Sequence, residues 1–363
     1  MSASSRDGGG FLGAEPTKSV CHEPRCRMTH PRDWIEVRKE GVFCKPGGFF
    51  IDPMHPAEIA VVTHGHADHA RAGHGDVFAT YETLAIMRAR YGETHATIAE
   101  HPLTHGQAVD INGVKVSLHP AGHILGSSQA RLEYNGATIV FSGDYKRRAD
   151  PTCVPFEPVP CDVFVTEATF ALPVFRHPPL EDEIVKLLTS LRQFPERCHL
   201  VGVYALGKCQ RMMVAMRRAG YGETIYLHGA MVRLCELYRD FGIDLGPWDL
   251  VTPENAKTLA GKIVLCPPSA LQDRWSRKLP DVLTVAASGW MRIRARAKQK
   301  GVELPLVVSD HADWDELLQT LSDVGAPEIW VTHGRDDALV YAAQQMGLKA
   351  QALHLIGYED DSE

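Results

Sequence analysis

One short stretch carries dense coordination chemistry: Thr63-His64-Gly65-His66-Ala67-Asp68-His69. Imidazole and carboxylate groups are ordinary ligands for zinc and similar divalent ions. His64 and His66 stand two apart, so on an extended segment they point the same way and suit one ion. Asp68 and His69 follow at once and suit a second. A folded interior rarely tolerates three imidazoles and a carboxylate together without partners that satisfy them. His123, Asp144 and His333 recur where other apolar segments end. Each alone reads as a loop or turn residue. In an α/β architecture, however, strand ends on one edge open into a single cleft. His64, His66, Asp68, His69, His123, Asp144 and His333 can therefore fill two ion sites, with one carboxylate shared. Two divalent ions about 3.5–4 Å apart polarise a phosphoryl group and acidify a shared water.

The elements that must position these groups are legible as apolar runs between turns. The His cluster follows 59–62, a short apolar run that reads as a buried strand. Strands at 35–38 and 48–51 precede it, the second ending at Asp52. Residues 81–91 read as helix. Strands follow at 114–118, 130–134 and 138–141, the last two joined by Asn135-Gly136, a strong hairpin signal. A strand at 162–166 ends at Glu167. From about 171 helices and strands alternate, as in a parallel α/β unit: helix 180–191, strand 199–204, a helix opened by Gly207 and running to Arg218, then strands at 224–227, 262–266 and 282–286. Leu306 to His311 leads into a helix at 313–324 and a strand at 328–332.

Several basic or glycine-containing stretches could meet phosphate. Lys146, Arg147 and Arg148 directly follow Asp144. Arg292, Arg294, Arg296, Lys298 and Lys300 place five positive charges in nine residues. On a strand they would share one side as a rail for phosphates; on a helix they would scatter. Gly207-Lys208 at a helix start, Ser288-Gly289 after a strand and, more weakly, His228-Gly229 could present backbone N–H groups to an anion. His74, His95, His101, His105 and His119 read as surface or core histidines.

The ordered set of motifs resembles the metallo-β-lactamase superfamily. The H-x-H-x-D-H cluster, Gly-His123 and Ser-Gly-Asp144 are similar to its successive metal motifs, and Asp52 matches its first Asp, which orients a ligand from behind. Glu167 in Thr-Glu-Ala-Thr-Phe, His311 in Ser-Asp-His-Ala-Asp and His333 in Thr-His-Gly resemble motifs A, B and C of the β-CASP nucleases. Ala205-Leu206-Gly207-Lys208-Cys209-Gln210 looks like the strand-to-helix turn of their inserted domain. Ser288-Gly289-Trp290-Met291, with 309–314, is similar to bacterial ligase-associated DNA exonucleases.

The resemblance implies an αββα metallo-β-lactamase sandwich in two pieces, 31–170 and 302–363, with a β-CASP α/β domain inserted at 171–301. It implies two Zn2+, with Mn2+ or Fe2+ as alternatives: His64, His66 and His123 on one, Asp68, His69 and His333 on the other, and Asp144 bridging. Asp68, Glu167 and His311 become the catalytic residues, with His311 as general acid held by Glu167. Lys146, Arg147, Gly207, Lys208, Ser288, Gly289, Arg292 and Arg294 become substrate contacts. The activity implied is exonuclease action on DNA in repair, beside an ATP-dependent DNA ligase and a DEXH-box helicase. A histidine at motif C is typical of RNA-acting members, which makes an RNA-processing β-CASP nuclease the alternative. A small-molecule hydrolase of this superfamily predicts a compact chain without the insert and with no use for Glu167 and His311.

Composition sets the outer bounds. The 363 residues, 44% hydrophobic, can build two or three domains with a packed core. No apolar run approaches the ~18 residues of a membrane span. The first 30 residues, rich in Gly, Ser and Pro, read as a flexible tail without an apolar signal region, and Met28 is a candidate start. Nine scattered Cys form no C-x-x-C pair, so neither a disulfide framework nor a Cys-rich zinc knuckle is implied, and a reducing cytoplasm fits best. A net charge of −7 argues against bulk electrostatic binding to nucleic acid; such binding would need local basic patches or bound metal.

Overall fold

The computed structural model describes residues 29–92 and 97–353. The tail up to Met28 with Cys21 and Cys26, His95, and residues 354–363 of the second sandwich piece lie outside the described residues. Three sheets organise the chain. A short helix α1 (Pro31–Trp34) leads into the first: β1 (Ile35–Arg38), β2 (Gly41–Cys44), β3 (Phe49–Ile51), β4 (Ile59–Val61), β5 (His74–Thr80) and β6 (Thr97–Leu103), in that spatial order, with helix α2 (Tyr81–Tyr91) between the last two. β1 to β3 pair antiparallel, and β3 to β6 parallel.

The second sheet begins with β7 (Ala108–Ile111), β8 (Val114–Pro120), β9 (Ser128–Tyr134), β10 (Ala137–Phe141) and β11 (Val163–Ala168). The β9–β10 hairpin turns on Asn135 at φ 49° and Gly136 at φ 79°. Positive φ at both central residues gives the turn whose twist matches the strands, as Asn-Gly predicts. The chain then leaves this sheet for the third, an all-parallel unit: α3 (Leu180–Gln193), β12 (Cys198–Gly202), α4 (Lys208–Arg218), β13 (Ile225–Leu227), α5 (Gly229–Asp240), β14 (Trp248–Leu250), β15 (Ile263–Cys266), β16 (Val282–Ala287), α6 (Arg294–Gln299) and β17 (Leu304–Leu306). Its spatial order is β14-β13-β15-β12-β16-β17. It returns through α7 (Trp314–Val324) to β18 (Glu328–Gly334), α8 (Asp336–Gln345) and β19 (Lys349–Ala352), and β18 pairs parallel with β11. The third sheet is thus an insert between two neighbouring strands. Because β17 pairs with β16, the return falls after 306, later than the expected 302.

The first two sheets share one core. Val42, Phe49 and Val61 from one meet Val116, Leu132, Ile139 and Val163 from the other. Each such fully buried side chain contributes about 1.5–3 kcal/mol relative to exposure. α2 covers the outer face of the first sheet through Leu84 and Met87, and α7 and α8 cover the second through Leu317, Leu321 and Leu339. The layers therefore run helix, sheet, sheet, helix. The core of the insert takes in Ile86, Ile124 and Leu125 from this four-layer body, so the two are packed together. Among the described residues no helix is long and apolar enough to cross a membrane, and the described cysteines are free.

The two connections to the insert are bonded to each other. Trp314 N donates to Phe175 O at 3.0 Å, and His177 N donates to Asp313 Oδ2 at 2.9 Å. Arg148 clasps both, donating to His177 O and to Asp313 Oδ2.

A bulge shapes the β11–β18 pair. Glu167 faces Thr332, but Ala168 faces Gly334, so His333 is the extra residue, at φ 53°. Bulges of this kind re-aim side chains beside functional sites. Gly334 has φ 95°, and a Cβ there would stand 2.3 Å from Ala168 O. Gly334→Ala is expected to cost about 1–3 kcal/mol of stability through backbone strain, measured by urea unfolding. An unfolding midpoint equal to the parent's would show that the bulge relaxes freely.

Candidate metal centre

The candidate ligands gather where strands end. His64 to His69 follow β4, His123 follows β8, Asp144 follows β10, and His333 lies in the bulge of β18. His64, His69, His123 and Asp144 are buried, each 6% exposed or less. Gly143, at φ 53°, lets the Asp144 loop press against Thr63, whose Oγ1 would stand 2.8 Å from an added Cβ.

The partners of each ring decide where its protons sit. His69 Nδ1–H donates to Asp52 Oδ2 at 2.8 Å. Thr63 Oγ1 spends its own proton on Asp52 Oδ2 at 2.6 Å, so at 3.1 Å it accepts from His64 Nδ1–H. His66 Nε2–H donates to the Leu206 carbonyl at 3.3 Å, and His123 Nδ1–H to the Asp310 carbonyl at 2.9 Å. These outward bonds leave His64 Nε2, His66 Nδ1 and His123 Nε2 as inward lone pairs and turn His69 Nε2 inward beside them, the arrangement by which an outer acceptor orients a metal-binding imidazole.

The inward atoms crowd around Asp144. Its Oδ2 lies 3.4 Å from His64 Nε2, 3.6 Å from His69 Nε2 and 3.7 Å from His123 Nε2. Asp68 Oδ2 is 3.5 Å from His69 Nε2. Ligands about 2.0–2.1 Å from a tetrahedral ion stand roughly 3.3 Å apart. His123 Nε2 and His66 Nδ1 face each other at 2.9 Å, two lone pairs that repel unless a cation lies between them. His64 Nε2 is buried with no hydrogen-bond partner. The residues present thus fit divalent ions. Two groups converge within 4.8 Å, His64–His66–His123–Asp144 and Asp68–His69–Asp144, and the His333 ring lies 5.4 Å from that of His69.

Electrostatics agree. Burial, reinforced by neighbouring imidazoles, pushes His66 and His333 down to about 4 and His123 well below its ordinary value, which keeps their lone pairs free at neutral pH. Burial opposes a charged His69, but Asp144, Asp68 and Asp52 overcome it and hold its pKa well above the ordinary value. The carboxylates thus favour positive charge here. Burial also opposes ionised Asp68, yet His69 and its neighbours bring it down to about 2.

A second unit adjoins the first. Glu167 Oε2 accepts from His311 Nδ1–H at 2.8 Å and from Thr169 Oγ1 at 2.6 Å, while Oε1 accepts from Tyr145 N at 2.7 Å. Asp144, Glu167 and His311 could also surround a cation. The hydrogen bonds already made by Glu167 favour its use in holding His311, whose ring lies 4.7 Å from that of His123.

No family model matches the chain. A probable DNA ligase of Opitutus terrae is 27% identical over 324 residues, covering 88% of this chain and 31% of that protein. The endoribonuclease ysh1 of Emericella nidulans is 25% identical over 442 residues, covering 87% of this chain and 48% of that protein. The chain is related to nucleases. It spans about a third to a half of the length of these relatives. A solved structure of a protein of unknown function from Enterococcus faecalis V583 superposes with a TM-score of 0.51 at 14% identity, over 83% of this chain and 80% of that one, which shows a shared fold.

The phosphate contacts expected from sequence fare unevenly. Lys146 is 1% exposed, and its Nζ is committed to Asp150 Oδ2 and the His123 carbonyl, so it is an internal strut. Lys208, also 1% exposed, lies over the Tyr204 ring and 3.9 Å from Asp310. Arg147 pairs with Asp323. The N–H groups of Gly207, Lys208 and Ser288 are taken by Gln210 Oε1, Leu206 O and Leu306 O. Gly289 packs on Phe170, and His228 caps α5 through Ala230 N. Arg292 and Arg294 are exposed. Because α6 is a helix, the basic run is scattered, and Arg296 stacks on Trp290.

Thr63, the Leu206 and Asp310 carbonyls, Tyr145 and Thr169 were not marked out by sequence. A hydroxyl directly before His64 was the one local signal available. Asp52→Ala removes the acceptor shared by His69 Nδ1, Thr63 N and Thr63 Oγ1. A loss of about 3–5 kcal/mol is expected, since it breaks a buried pair, read by denaturant unfolding of chelator-treated protein. A loss below ~1 kcal/mol, that of one ordinary hydrogen bond, would show that Asp52 is not the keystone of this cluster.

Proposed function

We propose that the chain is a two-ion nuclease of the β-CASP branch of the metallo-β-lactamase superfamily, acting in the cytoplasm to shorten DNA from an end, with the insert as the β-CASP domain. One observation carries the reading. Inward lone pairs and carboxylates surround Asp144, directly beside the Glu167–His311 pair. In this reading His64, His66 and His123 would hold one ion and Asp68, His69 and His333 the other, with Asp144 serving both. Zinc suits the donor set, as do manganese and iron. Ions held there would supply polarisation of a phosphodiester and acidification of water.

The chain's own groups then have separate tasks. Glu167 holds the Nδ1 proton of His311 and stabilises a further proton on Nε2, which His311 delivers to the departing oxygen. Asp68, with 32% of its side chain exposed, is the more open carboxylate and faces the substrate side of the site as the catalytic carboxylate of the set. Asp52 fixes the ring of His69. The exposed Arg292 and Arg294 are the remaining phosphate contacts among those expected.

A relative named a probable DNA ligase, whose match to this chain covers 31% of its own length, supports a setting in which DNA ends are trimmed before joining; an ATP-dependent ligase and a DEXH-box helicase are the partners proposed there. The similarity to an endoribonuclease supports a second reading, RNA processing. End-labelled single- and double-stranded DNA and matched RNA, each with zinc or manganese, separate the two: stepwise shortening of DNA is expected, and cleavage of RNA alone would transfer the reading to RNA. Turnover of a thioester with neither polymer cut would favour a small-molecule hydrolase.

Two variants test the site. Asp144→Ala should lose bound metal and all cleavage; normal metal content with full activity would reject its bridging place. His311→Ala should keep the ions and slow the chemical step by ~10²–10⁴-fold, and an unchanged rate at saturating substrate would remove it as general acid.

A further inference from the structure

Two imidazoles of the first ion group are oriented by the insert, although the four-layer body carries them. His66 donates directly to the Leu206 carbonyl, at the turn before α4. His123 donates to the Asp310 carbonyl. The Ser309–His311 turn that presents this carbonyl is gripped by Arg211 of α4. Arg211 Nη1 donates to Ser309 O at 2.5 Å and lies 3.2 Å from Asp310 Oδ1. Arg211 Nε stands 3.5 Å from Asp150 Oδ2, and Asp150 takes the Lys146 ammonium at 2.6 Å. Lys146 also donates to the His123 carbonyl at 3.1 Å. The network thus closes on His123 from its ring and from its backbone. Arg211, Asp310, Asp150 and Lys146 are all at least nine-tenths buried. Burying such charges is costly compared with apolar packing, so the network is weakly explained by stability and better explained by geometry.

We propose that Arg211 is a positioning residue for the metal centre. Its planar fork reaches the carbonyl and carboxylate of the turn through Nη1 and faces Asp150 through Nε, a two-sided task to which an ammonium is poorly matched. It thereby sets the direction of the Asp310 carbonyl, and with it the tautomer and angle of His123. The same grip seats His311, whose backbone N donates to Ser309 Oγ at 3.0 Å. The insert is therefore a structural part of the first ion site. This rests on the two-ion reading above.

The test compares the full chain with Arg211→Met, Arg211→Lys and Arg197→Met. Arg197 precedes β12, at the end of that strand away from the site, and pairs with Glu303 and Asp281. Its loss weakens the insert without touching the network. Zinc-loaded proteins are titrated with a chelator, and kcat and KM are measured on an oligonucleotide. Arg211→Met is expected to surrender one of two ions at ~10–100-fold lower chelator concentration, in line with lost outer partners of metal ligands, and to lose kcat with KM little changed. Arg211→Lys, which keeps the buried charge and covers a Met variant that fails to fold, should fall between. Arg197→Met should hold both ions as the parent does. Parent-like ion retention and kcat in both Arg211 variants overturn the proposal, as does equal ion loss in Arg197→Met. A parent chain that binds no divalent ion overturns the two-ion reading itself, which the Arg211 variants alone cannot do.

Discussion

Every buried imidazole around Asp144 hands its outward proton to an oxygen that cannot donate one back. That constraint turns the other nitrogen of each ring inward, and the rest of the structure serves it. Leaving any of these buried N–H groups without an acceptor would cost about 1–3 kcal/mol. The acceptors come from remote parts of the chain: Asp52, Thr63, the Leu206 carbonyl and the Asp310 carbonyl. Two sheets and an insert are needed to bring them to one place. Strain is accepted there too, since Asp52 and His333 both sit at positive φ.

What was legible in the sequence was local. The His cluster, the apolar runs before it and before Glu167, and the Asn135-Gly136 hairpin all declare themselves within a few residues. So does α7, where Asp313 accepts from Asp315 N and Glu316 N while Glu316 reaches back to Asp313 N. The expected helices at 81–91 and 313–324 agree with α2 and α7 within a residue. Placing the candidate ligands at strand ends brought His64, His66, His123 and Asp144 together, and Asp68 with His69.

What was hidden was long-range or had no residue type. The acceptors for His66 and His123 are backbone carbonyls, which any side chain could carry. The His333 bulge depends on pairing with β11, far away in sequence. β5 and β6 carry no clear strand signal, because His74, Asp76, Glu100 and His101 interrupt their apolar pattern. Lys146 and Arg148 looked like free cations beside Asp144, yet their carboxylate partners include Asp150 and, from far along the chain, Asp313 and Glu316.

The stapled connections to the insert have a mechanical consequence. With Phe175 and His177 bonded to Trp314 and Asp313, and Arg148 clasping both strips, the insert hangs from one pivot rather than two independent tethers. A load on the insert is therefore shared by both strips at once, and His311, two residues from Asp313, lies next to that joint.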